Sequence, residues 1–116
     1  MIKTVEIDGK NILFKSNAAT PIRYKQQTGS DFFADILKMQ YLSPLIGAKA
    51  EDIPADVIDK LDFSVLYNVV WTLAKTADNS IPEPLTWFDS FDEFNILDIL
   101  PEVMDLITSN LKTKKK

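Results

Sequence analysis

Three carboxylates near the C-terminal end of the chain are the first candidates for chemistry. Asp89, Asp92 and Glu93 lie close enough in sequence for two of them to act as an acid–base pair or to bind a hard metal ion. The same spacing is typical of the solvated face of an amphipathic helix. The chain contains no EF-hand sequence and, with three scattered glycines, no phosphate-binding loop. We therefore expect a solvated face and no metal site.

The absence of two residue types restricts the chemistry further. The chain contains no histidine and no cysteine. It therefore lacks the usual general base, the thiolate nucleophile and the commonest ligands of transition metals. Disulfides are excluded as well, which fits a reducing compartment. We expect a protein that is not an enzyme and that needs no cofactor.

Four aromatic residues, Trp87, Phe88, Phe91 and Phe94, are interspersed with these carboxylates at helical spacing. In a small domain such residues most often pack in the core. The functional alternative is that some of them stay exposed and anchor a partner, because aromatic side chains ringed by polar residues are favoured at the centres of interfaces. An acidic rim selects an apolar partner that carries positive charge. The candidate partner-binding surface comprises Trp87, Phe88, Asp89, Phe91, Asp92, Glu93 and Phe94.

Charge is distributed unevenly along the chain. Four of its 13 cations fall in residues 112–116, which leaves nine cations against 17 anions in residues 1–111, a net charge of −8. No cation occurs in residues 76–111, where eight acidic residues occur. Such a surface repels phosphate backbones, so we expect no nucleic-acid partner. Residues 112–116 are predicted to be a flexible, lysine-rich tail.

Two features of the sequence argue against a membrane protein. The N-terminal sequence MIKTVEIDGK is too polar for a signal peptide, and no apolar run approaches the roughly 18 residues that span a bilayer. Carboxylates would also be repelled by anionic lipid. We expect a cytoplasmic protein with no membrane partner.

The N-terminal residues predict a β-hairpin. The chain alternates in period two, with Val5 and Ile7 on one face, and a second β-prone run covers residues 11–15. Asp8-Gly9 between the two runs is a strong hairpin signal, because glycine tolerates the positive φ of the turn. A two-stranded hairpin alone is marginal in water. Its apolar face is therefore expected to lie on helices, or the hairpin to pair with that of another copy in a homo-oligomer.

Two short helices are predicted next. Thr20 as N-cap, Pro21 at the first helical position and Gly29 as the stop signal define the first. Ser30 is the predicted cap of the second, which covers about residues 31–41. A loop is predicted from Leu42 to Ala55, where prolines and a glycine interrupt the pattern. The second helix is expected to supply apolar contacts through Phe32, Phe33, Ile36, Leu37 and Met39.

The strongest helical pattern covers residues 63–77. Asp62 is a good N-cap for it, and apolar residues recur along it at helical spacing. Tyr67, Trp71 and Ala74 add a second apolar stripe beside the first, so little of this helix is left to face water. The pattern predicts the central core helix.

Two further helices are predicted in the acidic C-terminal third. Thr86-x-x-Asp89 resembles a capping box, after which the aromatic series continues at helical spacing. Asn95 is the predicted N-cap of the last helix. Asp98 falls in its first turn, where a carboxylate suits the helix dipole.

Pro101 complicates the last helix, because it lacks an amide hydrogen. Either the helix kinks there, or a short first turn ends and a new helix begins at Pro101. Taken together, the patterns predict a single compact α+β domain over residues 1–111, mostly helical, in which an N-terminal β-hairpin precedes about five α-helices.

The order of these features resembles that of a known family. The hairpin VEIDGKNILFK leads into SNAATPIRYKQQTGSDFFADI, in which Gly29 separates a short helix from an aromatic-led one. LYNVVWTLAKTAD, the acidic and aromatic TWFDSFDEFNILDILPEVMDLI and a lysine tail follow. In this order the chain resembles the small tail assembly chaperones of long-tailed phages and prophages of Gram-positive bacteria. The similarity covers nearly the whole chain, and its motifs are structural rather than catalytic.

The resemblance implies a protein made with the tail genes and absent from the mature virion. Such a protein keeps the long tape measure protein soluble in the host bacterial cytoplasm and helps the tail tube protein to assemble around it. The acidic and aromatic stretch fits this role independently, because a helical partner can lay its apolar face on such a surface. The alternative is a structural head–tail connector or tail completion protein that is retained in the virion. A small host regulatory or enzyme-associated domain is favoured only if the neighbouring genes are not phage genes.

Overall fold

The computed structural model describes residues 2–38, 55–56 and 63–109. Within these ranges, a two-stranded antiparallel sheet precedes five helices, which confirms the predicted mostly helical α+β fold. The predicted Asp62 cap and lysine tail lie outside the described residues, as does the predicted loop except for Ala55, which is helical. The elements are β1 (Ile2–Ile7), β2 (Lys10–Lys15), α1 (Thr20–Thr28), α2 (Phe32–Lys38), α3 (Phe63–Ala77), α4 (Pro84–Asp89) and α5 (Ile96–Ser109).

The hairpin has the two-residue turn that the sequence predicts. Ile7 pairs with Lys10, and the residues between them, Asp8 and Gly9, have φ values of 54° and 76°. Positive φ at both central positions defines a type I′ turn, whose twist matches that of the flanking strands. The turn therefore fixes the register of both strands.

One face of the hairpin lies on the helices, as expected. Ile7 and Phe14 are buried in the core, while Ile2 and Leu13 on the other face are exposed. Strand β2 packs on α3, and β1 packs on α5. The helices thus supply the cover that a two-stranded sheet needs for stability.

Helix α1 begins one residue earlier than predicted. Ala19, not Thr20, occupies the N-cap position and makes no side-chain cap bond. Thr20 is the first helical residue, and its hydroxyl oxygen accepts the backbone N–H of Asn17 at 3.0 Å. The helix ends as predicted, because Gly29 adopts φ 79° and donates its N–H to the Lys25 carbonyl at 2.8 Å.

Helix α2 begins one residue later than predicted. The Asp31 carboxylate, rather than the Ser30 hydroxyl, accepts a free N–H group of the first turn, that of Ala34, at 3.0 Å. Asp31 therefore acts as the cap, and the helix starts at Phe32. The structure describes the helix to Lys38, so its predicted end near residue 41 lies outside the described residues.

Helix α3 is the central core helix, as the sequence predicts. Its apolar side chains are buried on more than one face, and each fully buried leucine contributes about 1.5–3 kcal/mol to stability. Tyr67 and Ala77, at the margins of the pattern, are half-buried. The buried set is Val65, Leu66, Val69, Val70, Trp71, Leu73 and Ala74.

Helix α5 runs without a break through Pro101. The alternative in which a new helix begins at Pro101 is therefore wrong. A proline inside a helix costs about 3 kcal/mol, and here a continuous apolar face offsets that cost. That face comprises the buried residues Ile96, Ile99, Leu100, Val103, Leu106 and Ile107.

The start of α5 agrees with the sequence. The Asn95 carbonyl accepts the Ile99 N–H at 3.1 Å, and Asp98 lies in the first turn. The Asn95 side-chain amide donates to the Asp98 carboxylate at 2.8 Å. None of the helices in the described part of the chain has the length and apolar character of a membrane span.

Candidate functional site

Helix α4 presents the first part of the candidate surface, and Glu83 caps it. The Glu83 carboxylate accepts the N–H groups of Leu85 at 3.0 Å and Thr86 at 3.2 Å. Pro84 occupies the first helical position, where no N–H is needed. The Thr86 hydroxyl also donates to Glu83. The capping box predicted at Thr86 and Asp89 is therefore wrong, because Glu83 already satisfies the free N–H groups.

Hydrogen bonds lower the pKa of two exposed carboxylates, Glu83 and Asp78, in the segment that precedes α4. The pKa of Glu83 is lowered chiefly by the Thr86 hydroxyl. The pKa of Asp78 is lowered chiefly by the Ser80 hydroxyl, which donates at 2.6 Å. Donors that stabilise the charged form favour ionisation. These two carboxylates thus fix a helix start and a turn, and neither has the raised pKa of a general acid.

Helix α4 ends at Asp89, earlier than the spacing of the aromatic residues predicts. The N–H of Ser90 donates to the Trp87 carbonyl, and the N–H of Phe91 to the Phe88 carbonyl, each at 3.1 Å. These tight bonds close the helix, and residues 90–95 form an irregular connection to α5. The predicted helical continuation through Phe91 and Phe94 is therefore wrong.

The aromatic residues nevertheless converge around Trp87. The centroid of its ring system lies 4.9 Å from the ring of Phe88, 5.2 Å from that of Phe91 and 5.8 Å from that of Phe94. Tyr67 of α3 contacts Phe88 edge to face at 5.1 Å. Edge-to-face pairs contribute about 0.5–1.5 kcal/mol each beyond the area they bury. We call these five residues the aromatic cluster.

The predicted partner-binding residues differ in how much of each side chain is exposed. Trp87 and Phe91 are buried, with 6% and 9% of their surface exposed, and belong to the core. Phe88 and Phe94 are half-buried and pack on that core. The structure thus brings two aromatic rings to the surface above two buried ones. The exposed carboxylates of the set are Asp89, Asp92 and Glu93. Their binding to a partner stays a prediction.

The turn of the hairpin holds the irregular segment in place. Lys10 Nζ donates to the Ser90 carbonyl at 3.2 Å and lies 4.9 Å from the centre of the Phe91 ring. The Asp8 carboxylate accepts the backbone N–H of Asp92 at 3.0 Å. The residues in these two hydrogen bonds are 80 and 84 positions apart. We call this set of contacts the hairpin clasp, and sequence reasoning missed it because nothing local indicates it.

The connection between α3 and α4 is also fixed by side chains of α3. Trp71 Nε1 donates to the Pro82 carbonyl at 2.8 Å. Lys75 Nζ donates to the carbonyls of Asn79 at 2.7 Å and Ile81 at 2.5 Å. The rigid central helix therefore determines where α4 begins.

A concave region between β1 and the start of α5 collects further carboxylates. Its volume is about 270 Å³, and Glu6, Asp98 and Glu102 contribute to its lining. Glu102 pairs with Lys3 at 3.7 Å. Among the residues that the structure describes, no three acidic side chains are grouped in a way that could hold a metal ion. The region therefore has the character of a solvated acidic surface.

Sequence reasoning also missed the most exposed apolar residues. Leu85 on α4 is 77% exposed, and Ile22 on α1 is 61% exposed. Leu85 lies between a proline and a threonine, so no periodic pattern marked it. Large apolar side chains at the surface are informative when they lie together in a patch.

Helix α2 faces the core with only part of its predicted apolar set, of which Met39 lies outside the described residues. Phe32 and Ile36 are buried as expected, but Phe33 and Leu37 are exposed. Consecutive residues of an α-helix point about 100° apart, and α2 packs on the core along the side that carries Phe32, which leaves Phe33 exposed.

Comparisons with known proteins identify no relative of the chain. No family model, no curated protein and no solved structure matches it. The family resemblance described above therefore rests on the order of features in the sequence.

Proposed function

We propose that the chain is a non-catalytic tail assembly chaperone of a long-tailed phage or prophage. In this proposal it binds the tape measure protein, keeps it soluble in the host cytoplasm and helps the tail tube protein to assemble around it. It leaves before the virion is complete. The order of sequence features supports the proposal, and one surface of the structure supports the binding role.

That surface, which we call the α4 surface, is the observation on which the proposal depends. The rings of Phe88 and Phe94 lie 5.0 Å apart and are half-buried on the core. Beneath them, Trp87 and Phe91 are buried. Rings held in this way lose little side-chain entropy when a partner covers them. The α4 surface comprises Leu85, Phe88, Asp89, Asp92, Glu93 and Phe94.

The charge of the α4 surface selects the kind of partner. Residues 76–109 contain no lysine or arginine, and the carboxylates beside the two rings are exposed. An apolar helix face flanked by cations complements such a surface in apolar character and in sign. The family resemblance implies a long helical partner with exposed apolar faces, which has this chemistry.

Co-expression with the large tail protein encoded beside this chain tests the proposal. The large protein should be insoluble alone and should co-elute with the chain in size-exclusion chromatography. The double variant Phe88→Ala/Phe94→Ala should stay folded by circular dichroism and bind about tenfold more weakly or worse, because aromatic anchors dominate interface energetics. The matched control is Ile2→Ala/Leu13→Ala, which removes two exposed apolar side chains from the hairpin and should bind normally.

Two results contradict the proposal. If the large protein stays insoluble in the presence of the wild-type chain, the chaperone role is wrong. If the double variant binds at full strength, the α4 surface is not the binding site. Mass spectrometry of purified virions distinguishes the chaperone from a structural connector, because a chaperone is absent from the particle whereas a connector is present in fixed copy number.

A further inference from the structure

A groove between α1 and α2 is a second place where apolar side chains reach the surface. Its volume is about 410 Å³, and the exposed side chains of Ile22 and Phe33 line it together with buried Phe32. Lys25 and Asp31 are among its exposed polar lining residues. We call this concavity the α1–α2 groove. It shares no residue with the α4 surface.

The two helices that form the groove are firmly joined. The Tyr24 hydroxyl donates to the buried Asp35 carboxylate at 2.6 Å. The rings of Tyr24 and Phe32 also meet edge to face at 5.3 Å. A groove built on such contacts is preformed, so an occupant need not order it.

The charges of the groove indicate what its occupant carries. Lys25 is exposed and forms no ion pair with another described residue, whereas Lys38 pairs with Asp35 at 3.4 Å. Asp31, the acidic residue of the lining, caps α2 by accepting the N–H of Ala34 and forms no ion pair with Lys25. The groove therefore offers an apolar surface beside a cation that has no ion-pair partner among the described residues, which suits an apolar side chain with a carboxylate nearby.

Helix α4 of the same chain has this combination. Leu85 is 77% exposed, and Asp89 is exposed and forms no ion pair with another described residue. Residues four apart on a helix lie on one face, as do Ile22 and Lys25, which are three apart. The Cβ atoms of Leu85 and Asp89 are thus about as far apart as those of Ile22 and Lys25, roughly 5–6 Å in each pair.

We propose that α4 of one copy docks into the α1–α2 groove of a second copy. Leu85 inserts between Ile22 and Phe33, and Asp89 pairs with Lys25. Because each copy uses two different patches, the contact is head-to-tail and generates rings or open chains. Pairing of hairpins would instead use the same patch on both copies. The proposal does not depend on the tail assembly role, but Leu85 and Asp89 belong to the α4 surface, so a second copy competes with a tape measure protein for that surface.

Sedimentation velocity over a range of concentrations tests this contact with two blocked variants. Leu85→Asp removes the inserted apolar side chain, and Ile22→Asp places a carboxylate in the apolar lining of the groove. Each change places a carboxylate in the first turn of a helix, where the dipole favours it, so both variants should fold. The wild-type chain should gain mass with concentration, and each variant should associate about tenfold more weakly or worse.

Mixing the two variants is the decisive step. The Leu85→Asp variant retains an intact groove, and the Ile22→Asp variant retains an intact α4. Their equimolar mixture should therefore form a heterodimer that grows no further, at concentrations where each variant alone stays monomeric. The double variant Lys25→Glu/Asp89→Lys should associate like the wild type, whereas Lys25→Glu alone should not.

The control is Ile2→Asp, which places the same charge on a hairpin residue that is 60% exposed and should leave association unchanged. A wild-type chain that stays monomeric at every soluble concentration overturns the proposal. So does association that survives both blocked variants, or a mixture that stays monomeric. Association abolished by Ile2→Asp alone would assign the contact to the hairpin instead.

Discussion

The α1–α2 groove and the α4 surface both expose apolar side chains, yet they differ in support and in charge. The groove lies on two helices joined by the buried pair Tyr24 and Asp35, and its lining carries one cation, Lys25, as well as the carboxylate of Asp31. The α4 surface lies on a short helix and an irregular segment, which contacts from distant residues hold in place. Exposed apolar area alone does not select a partner. The sign of the charge beside it does.

The largest expected effect is on stability and comes from removing the buried aromatic side chain beneath either surface. Trp87→Ala and Phe32→Ala should each lower the free energy of unfolding by about 3–5 kcal/mol, because each leaves a cavity in the core. Urea unfolding followed by far-UV circular dichroism measures this without depending on tryptophan fluorescence. The exposed control Leu85→Ala should stay within about 0.5 kcal/mol of the wild type. If Trp87→Ala were as mild as the control, the aromatic cluster would not belong to the core.

A smaller loss of stability should be confined to the α4 surface and leave the α1–α2 groove unchanged. Asp8→Gly removes the carboxylate that accepts the Asp92 N–H but keeps the positive φ of the turn. We expect a loss of about 0.5–1.5 kcal/mol in stability, the usual value of one hydrogen bond. Hydrogen exchange at the Asp92 amide should become faster, while exchange in α1 and α2 should not change. Equal acceleration in both regions would show that the hairpin clasp does not act locally.

The smallest effect concerns the cap of α4. The pKa of Glu83 in the folded protein lies below its ordinary value of 4.5, chiefly because of the Thr86 hydroxyl. The stability that ionised Glu83 adds to the folded protein is therefore fully present above about pH 4.5. It is lost as the pH falls through the pKa of Glu83 in the folded protein, which is below 4.5. Thr86→Ala should raise the Glu83 pKa toward 4.5, as measured by NMR titration of its carboxyl carbon. The Asp78 carboxyl serves as the internal control, and an unmoved Glu83 titration would contradict this account.

Local signals made the hairpin and α3 predictable. Asp8-Gly9 favours one turn type, and the apolar pattern over residues 63–77 admits one structure, so short-range physics decides both. The helix starts were less accurate because several cap residues compete within a few positions. At α4, Glu83 beside Pro84 provides the cap in place of Thr86.

The arrangement of the candidate surface could be predicted only in part. The sequence indicated that the aromatic residues act together, and their rings do converge. It could not indicate which rings are buried, because the hairpin clasp that holds Phe91 comes from Lys10, about 80 residues away. The exposure of Leu85 and Phe33 likewise follows from tertiary packing.

Site-specific photo-crosslinking tests the account most directly. A benzoylphenylalanine is placed at Phe88 or, as the matched control, at Phe33, and the chain is co-expressed with the large tail protein. Both positions are phenylalanines that reach the surface from a short helix. Illumination should crosslink the large protein at position 88 and not at position 33. A crosslink to the large protein from position 33 alone would contradict the assignment of the α4 surface as the binding site.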